Sequence, residues 1–278
     1  MNSPILLIDS PDEKGLIHTI TGVIFRHNHN IIRNDEYVDH ETGMFFMRTE
    51  IEGDCETEGL IAELTHDLPE GAHARFAPKQ KRKIVILVTK EHHCLGDLLI
   101  RNAFNEFNAE ILAVIGNHET LKPLTERFDI PFHFIPNAGL NKQEHEAKIR
   151  DVIAPYKPEY IVLAKYMRIL SPEFIADYPA RIINIHHSFL PAFAGASPYR
   201  QAFERGVKII GATAHFVTEE LDEGPILAQS VIPVDHNNSV NDMILAGRDV
   251  EKNVLAKALR LVFEERVFLC GKRVVIFD

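Results

Sequence analysis

The sequence predicts an α/β protein in two parts, and three observations carry that prediction. Up to residue 77, short apolar strands and two amphipathic segments follow the order strand, helix, strand, strand, helix, strand. From residue 84 onward, apolar runs alternate with helical spacing, the pattern of a parallel sheet joined by helical crossovers. Between the two textures lies a basic stretch at 78–83, Pro-Lys-Gln-Lys-Arg-Lys. A charge run in such a place reads as a solvated connector. The expected division is therefore 1–77, a linker over 78–83, and 84–278.

In the first part, residues 5–8 read as a strand and 9–15 as a turn. Residues 16–27 have helical spacing at Leu16, Ile20, Val23 and Ile24. Residues 31–38 and 44–51 read as strands around a hairpin turn closed by Gly43. A second helix over 57–68 is ended by Pro69 and Gly71, and 73–76 returns as a strand. That order, βαββαβ, is the ferredoxin-like arrangement.

In the second part, strands are expected at 84–88, 111–115, 132–135, 160–164 and 182–185. Helices are expected at 95–107, 120–128, 142–154 and 172–178. This is a Rossmann-like, doubly wound, mostly parallel sheet, in which ligands gather at the carboxyl ends of the strands. Residues 208–217 and 225–234 add two strands around an acid-rich turn. A long helix over 239–265, with Ser239 as its cap, leads to a closing hairpin at 267–269 and 273–277.

Composition narrows the class of function. The chain has 278 residues, 45% hydrophobic and 25% charged, with a formal net charge of -10. Its basic residues do not gather in a stripe, so nucleic acid is not an expected partner. No apolar run approaches a membrane span, and the start lacks a signal-peptide pattern. Three scattered cysteines, Cys55, Cys94 and Cys270, imply free thiols in a reduced, cytoplasmic setting.

Three stretches are candidates for chemistry. The first is residues 181–200, where the run Ile-Ile-Asn-Ile opens onto His186, His187 and Ser188 and then a loop with Pro191, Gly195 and Pro198. Asn184 and His186 are two apart, so on a strand they leave from one face. An amide and an imidazole together suit an oxyanion; the competing reading is a strand end tying down a loop. The second is Asp222, within Glu220-Leu-Asp-Glu-Gly-Pro225. By itself it reads as a solvated surface charge, but near an imidazole it becomes a proton acceptor. The third is Lys165-Tyr-Met-Arg-Ile-Leu-Ser-Pro172, a flat apolar pocket or simply a strand-to-helix turn capped by Ser171. His92-His93-Cys94 and His186-His187 invite a metal, yet adjacent residues on extended chain point apart and no spaced ligand set follows. No metal or other cofactor is expected.

Two resemblances add to this reading. The turn Asp9-Ser-Pro-Asp-Glu-Lys-Gly15-Leu16 resembles the ACT family of small regulatory domains. That implies pairing between subunits, as a dimer or tetramer, and an amino-acid effector near Asp9, Asp12, Gly15 and Leu16; a purely structural dimerisation module is the alternative. In the larger part, Asn184-Ile-His186 with Ser188, Leu190, Pro191 and Gly195 recurs in order with Thr213-Ala-His-Phe-Val-Thr218 and the Asp222 motif. Together with Met167-Arg-Ile-Leu-Ser-Pro172, these motifs resemble the formyltransferase family that uses 10-formyltetrahydrofolate. The pairing with an ACT-like part is similar to the deformylase branch, which hydrolyses the formyl group to formate and tetrahydrofolate and so serves one-carbon balance and purine biosynthesis. The loop Thr89-Lys-Glu-His-His-Cys-Leu-Gly96 makes a poor phosphate cradle, as expected where water is the acceptor.

The resemblance implies Asn184, His186 and Asp222 as the catalytic groups. It implies Met167, Arg168, Ile169, Leu170, Val217, Glu220 and Gly224 as the folate pocket. Thr213, His215 and His187 are expected to support the site from behind. Transfer to an amine such as glycinamide ribonucleotide, and a non-catalytic folate or amino-acid sensor, are the alternatives.

Overall fold

The computed structural model describes residues 3–53, 56–191 and 198–278. Cys55 and Gly195 lie outside the described residues. The chain forms two compact units, one of residues 1–80 with 264–278 and one of residues 81–263.

The first unit runs β1 (Ile5–Pro11), α1 (Leu16–Arg26), β2 (Ile31–Asp39), β3 (Met44–Ile51), α2 (Thr57–Asp67) and β4 (His73–Phe76). The strands lie in the antiparallel order β2-β3-β1-β4. Leu6 and Ile8 of β1 pack with Leu16, Ile20 and Val23 of α1 and Leu60 and Leu64 of α2. Leu7 points the other way, to Phe46, Phe268 and Phe277. A sheet covered on both faces explains why β1 reads as an unbroken apolar run rather than an alternating one.

The second cover is the chain's closing hairpin, which the sequence division assigned to residues 84–278. Polar ties fix it here: Arg48 donates to the carbonyl of Glu265 at 3.1 Å, and Asp39 accepts from Cys270 at 2.9 Å and Arg273 at 2.7 Å. A linear reading cannot see which sheet face is left open for a distant segment.

The second unit runs β5 (Arg82–Val88), α3 (His93–Ala103), β6 (Ala109–Gly116), α4 (Lys122–Glu126), β7 (Phe132–Phe134) and α5 (Lys142–Ile153). It continues with β8 (Tyr160–Leu163), α6 (Pro172–Ala176), β9 (Ile182–His186), α7 (Pro198–Arg205), β10 (Ile209–Phe216), β11 (Ile226–Pro233) and α8 (Val240–Phe263). The hairpin strands of the first unit are β12 (Val267–Cys270) and β13 (Arg273–Ile276).

The large sheet has the order β11-β10-β9-β8-β5-β6-β7. Strands β9 to β7 in that order are parallel, and β10 and β11 run antiparallel at one edge. The chain goes outward from β5 to β7, then crosses to β8 and works toward the other edge. The order reverses between β5 and β8, so a crevice opens at their carboxyl ends.

Local rules explain most boundaries. Ser171 accepts from the Phe174 N–H at 3.2 Å, with Pro172 at the first helical position. Ser239 accepts from the Asp242 N–H at 3.2 Å. The segment expected as one helix over 120–128 is a 3-10 turn at Glu119–Leu121 followed by α4. Helix α7 was not expected; Pro198 begins it, so the proline that seemed to continue a loop is a helix-start signal.

Candidate active site

Asn184 and His186 stand on β9, and the pairing of β9 with β10 decides what lies beside them. His215 is the cross-strand partner of Asn184, and Thr213 that of His186. His215 Nδ1 donates to the carbonyl of Phe216 at 2.8 Å. Its Nε2 is therefore the lone-pair nitrogen, and it accepts from Asn184 Nδ2 at 3.2 Å. Burial pushes the His215 imidazole down, against the backbone bond that favours its charge, so it stays neutral. The bond fixes which end of the Asn184 amide is nitrogen and leaves one N–H for a ligand.

Thr213 serves the loop behind this pair. Its hydroxyl donates to the carbonyl of Ser188 at 2.9 Å and accepts from the Leu190 N–H at 3.0 Å and from Gln229 at 2.9 Å. It is wholly buried.

Asp222 comes from the turn between β10 and β11, in a left-handed backbone conformation with φ 57°. Its Oδ2 lies 3.3 Å from His186 Nδ1, and its Oδ1 lies 3.7 Å from His215 Nε2. The hydrogen bond from His186 holds its carboxyl below the usual value, with partial burial opposing. His186 Nε2 is buried without a hydrogen-bond partner among the described residues. With Nδ1 turned to Asp222, His186 keeps Nε2 for a ligand in the cleft.

These groups line one cleft of about 410 Å³. Leu163, Ile175, Val217 and the buried Leu170 give it apolar walls, while Met167 and Ile169 stand exposed at its rim. Such walls with a few converging polar groups suit a flat heterocycle. The 166–170 loop is pinned: Thr89 accepts from the Met167 N–H at 3.0 Å, and buried Glu146 accepts from the Ser171 N–H at 2.9 Å.

Of the seven expected folate contacts, Met167, Arg168, Ile169, Leu170 and Val217 line the cleft, and Glu220 and Gly224 do not. Gly224 has a packing role instead. A Cβ there would lie 1.8 Å from the carbonyl oxygen of Phe216, so only glycine lets the Asp222 turn press against the end of β10.

His187 departs from the expectation that adjacent side chains point apart. The rings of His186 and His187 do not point apart; their centroids are 5.3 Å apart at 36°. The strand ends at His186, so strand alternation no longer directs the next side chain.

Behind His187 lies a buried ionic hub that the motifs did not reveal. Glu251 of α8 accepts from His93 at 2.8 Å and Tyr199 at 2.6 Å, and pairs with Lys165 at 3.1 Å. Burial opposes its ionisation, but these partners outweigh that and hold the carboxyl at about 2. Gly247, one helical turn earlier, leaves room for the Tyr199 ring. The sequence does carry a signal: a glutamate within the apolar stripe Val250, Val254, Leu255 and Ala258 of a long helix. His93, Cys94 and Glu251 bring three donor atoms within 4.8 Å, a set invisible to local spacing. Burial and the Glu251 charge push the Cys94 thiol up, and Lys165 already supplies the counter-charge.

The N-terminal turn places its residues separately. Asp9 accepts from His73 at 2.9 Å, Gly15 takes φ 98° at the start of α1, and Leu16 is buried in the helix–sheet core. Asp12 is exposed, and its N–H donates to the carbonyl of Gly43 at 2.8 Å.

The formyl transferase family model matches residues 82–259. The chain is similar to the formyltetrahydrofolate deformylase of Escherichia coli O6:H1, 58% identical over 266 residues, 96% of this chain and 95% of that one. It is 54% identical to the enzyme of the same name from Haemophilus influenzae, over 98% of each chain. The crystal structure of a formyltetrahydrofolate deformylase from Pseudomonas syringae matches with a TM-score of 0.93 at 39% identity, covering 99% of this chain and 94% of that one.

Proposed function

This chain belongs to the formyl transferase family and, within it, to the formyltetrahydrofolate deformylases, an enzyme for hydrolysing 10-formyltetrahydrofolate; we propose how its residues divide that work. The folate enters the cleft between the 166–170 loop and the turn before Asp222, with its ring against Leu163, Leu170, Ile175 and Val217. Water attacks the formyl carbon. Asn184 and His186 donate to the oxygen as it becomes an oxyanion; one such donor is typically worth about 2.7–4 kcal/mol. Asp222 accepts the water's proton and passes it to the departing folate nitrogen, a positioned transfer worth roughly 10²–10⁴ in rate. Each step is assigned to a side chain, so the reading calls for no metal or other cofactor.

The observation that carries this assignment is the convergence of Asn184, His186 and Asp222 in one cleft, with the amide oriented by His215. The experiment is incubation of the purified protein with 10-formyltetrahydrofolate alone. Prompt, stoichiometric formate and tetrahydrofolate support hydrolysis. Formate that appears only after an amine is added supports transfer instead.

The first unit's βαββαβ order and its exposed edge strand β2 support an ACT-like regulatory or dimerisation role, in a cytoplasmic homo-oligomer. An amino acid bound near Asp9 to Gly15 changes activity only through different affinities for active and inactive states. Glycine and methionine are the effectors to test, by rate and melting temperature. If neither moves either, the unit's role is assembly.

A further inference from the structure

A water molecule that attacks through its oxygen has two O–H bonds to place. The oxygen lone pair must face the formyl carbon, so both hydrogens point away from it, and an acceptor for each fixes the water's orientation. Asp222 takes one. Asn184 and His186 are committed as donors to the formyl oxygen, and the His215 lone pair is occupied by Asn184.

His187 has the qualities of the missing acceptor. It lines the same cleft as Asn184, His186 and Asp222. Its ring lies 5.3 Å from that of His186 and 6.4 Å from that of Tyr199. Among the described residues, nothing hydrogen-bonds to either of its ring nitrogens. Burial, reinforced by the nearby Lys165 ammonium, pushes the imidazole down to about 4. Neutral imidazole keeps one lone pair at physiological pH. Of the Lys165–Glu251 pair, the ammonium disfavours charge on His187 and the carboxylate partly offsets it.

We propose that His187 is a catalytic residue that accepts the second hydrogen of the hydrolytic water, so that Asp222 and His187 together aim its oxygen at the formyl carbon. This rests on the hydrolytic reading above. The water oxygen forms the new C–O bond while the carbonyl pair moves onto the oxygen held by Asn184 and His186. The proton facing Asp222 is transferred to it. The C–N bond then breaks, and the folate nitrogen takes the bond's electron pair together with that proton. The hydrogen held by His187 stays on the product acid and is lost to solvent as formate leaves.

The test compares wild type with His187→Leu, which cannot accept a hydrogen bond, and His187→Gln, whose carbonyl can. Formate release from 10-formyltetrahydrofolate is followed, with melting temperature and tetrahydrofolate binding measured on each protein. His187→Leu should lose about 10²-fold in kcat with KM within about twofold, and His187→Gln should recover at least about tenfold of that loss. Equal kcat in all three proteins overturns the proposal, as do equal losses in Leu and Gln or a loss expressed in KM. If His187→Leu does not fold, His187→Ala takes its place under the same criteria. Wild-type enzyme that releases no formate would defeat the hydrolytic reading itself, an outcome distinct from variants that match an active wild type.

Discussion

The Asn184 amide nitrogen lies 3.2 Å from a histidine nitrogen, His215 Nε2, whose lone pair is fixed by the bond from its own Nδ1 to the carbonyl of Phe216. The proposed oxyanion donor is therefore aimed by a residue on the neighbouring strand. His215→Phe removes the acceptor and frees the amide to rotate. One net hydrogen bond is worth about 1 kcal/mol, so kcat should fall roughly five- to tenfold with folate KM unchanged. Steady-state kinetics checks this, and a rise in KM alone would count against it.

The turn carrying Asp222 depends on Gly224. Adding a methyl group at a site with 1.8 Å to a carbonyl oxygen forces the backbone apart. Gly224→Ala should lower stability by about 1–3 kcal/mol. It should reduce kcat on the order of 10²-fold through displacement of the carboxylate. Urea unfolding and kinetics on one preparation test both arms.

Asp222 should titrate below the ordinary aspartate value of about 3.9, because the His186 hydrogen bond favours its charged form more than partial burial disfavours it. In His186→Ala the main lowering influence is gone and burial remains, so the midpoint rises. Carbon NMR of the Asp222 carboxyl in the two proteins gives the comparison; an unchanged midpoint contradicts the pairing.

Glu251 should matter to stability more than its silence in the motifs suggests. Glu251→Gln leaves Lys165 buried without its carboxylate, a loss of about 3–5 kcal/mol, read by urea unfolding. The wild-type contribution also depends on pH. The folded carboxyl is held at about 2, below the unfolded value of about 4.3. Its stabilisation is complete above the unfolded value and is lost as pH falls from there through the folded one. Glu251→Gln should accordingly lose part of the acid sensitivity of unfolding that wild type shows between those values.

Much of this site was legible because its motifs sit at strand ends. The period-two spacing of Asn184 and His186, and the alternation of Thr213 and His215, survive into β9 and β10, where cross-strand register joins them. The features that escaped are those made by distance along the chain. Glu251 reaches His93, Lys165 and Tyr199 from three other segments, and no local pattern encodes that meeting. Gly224 was read as a pocket residue because a glycine in a motif says only that a Cβ is unwelcome, not what it would strike. The closing hairpin of residues 267–276 was assigned by adjacency, whereas packing gave it to the first sheet through Phe268 and Phe277.

The central claim is that Asn184 and His186 polarise the formyl group while Asp222 manages the proton. Asn184→Asp tests it most directly, since an acid of nearly the same shape replaces the donor with an acceptor and adds negative charge near Asp222. Single-turnover formate release, measured beside tetrahydrofolate binding, should show turnover nearly abolished and affinity kept. An Asn184→Asp enzyme that releases formate at close to the wild-type rate would contradict the account.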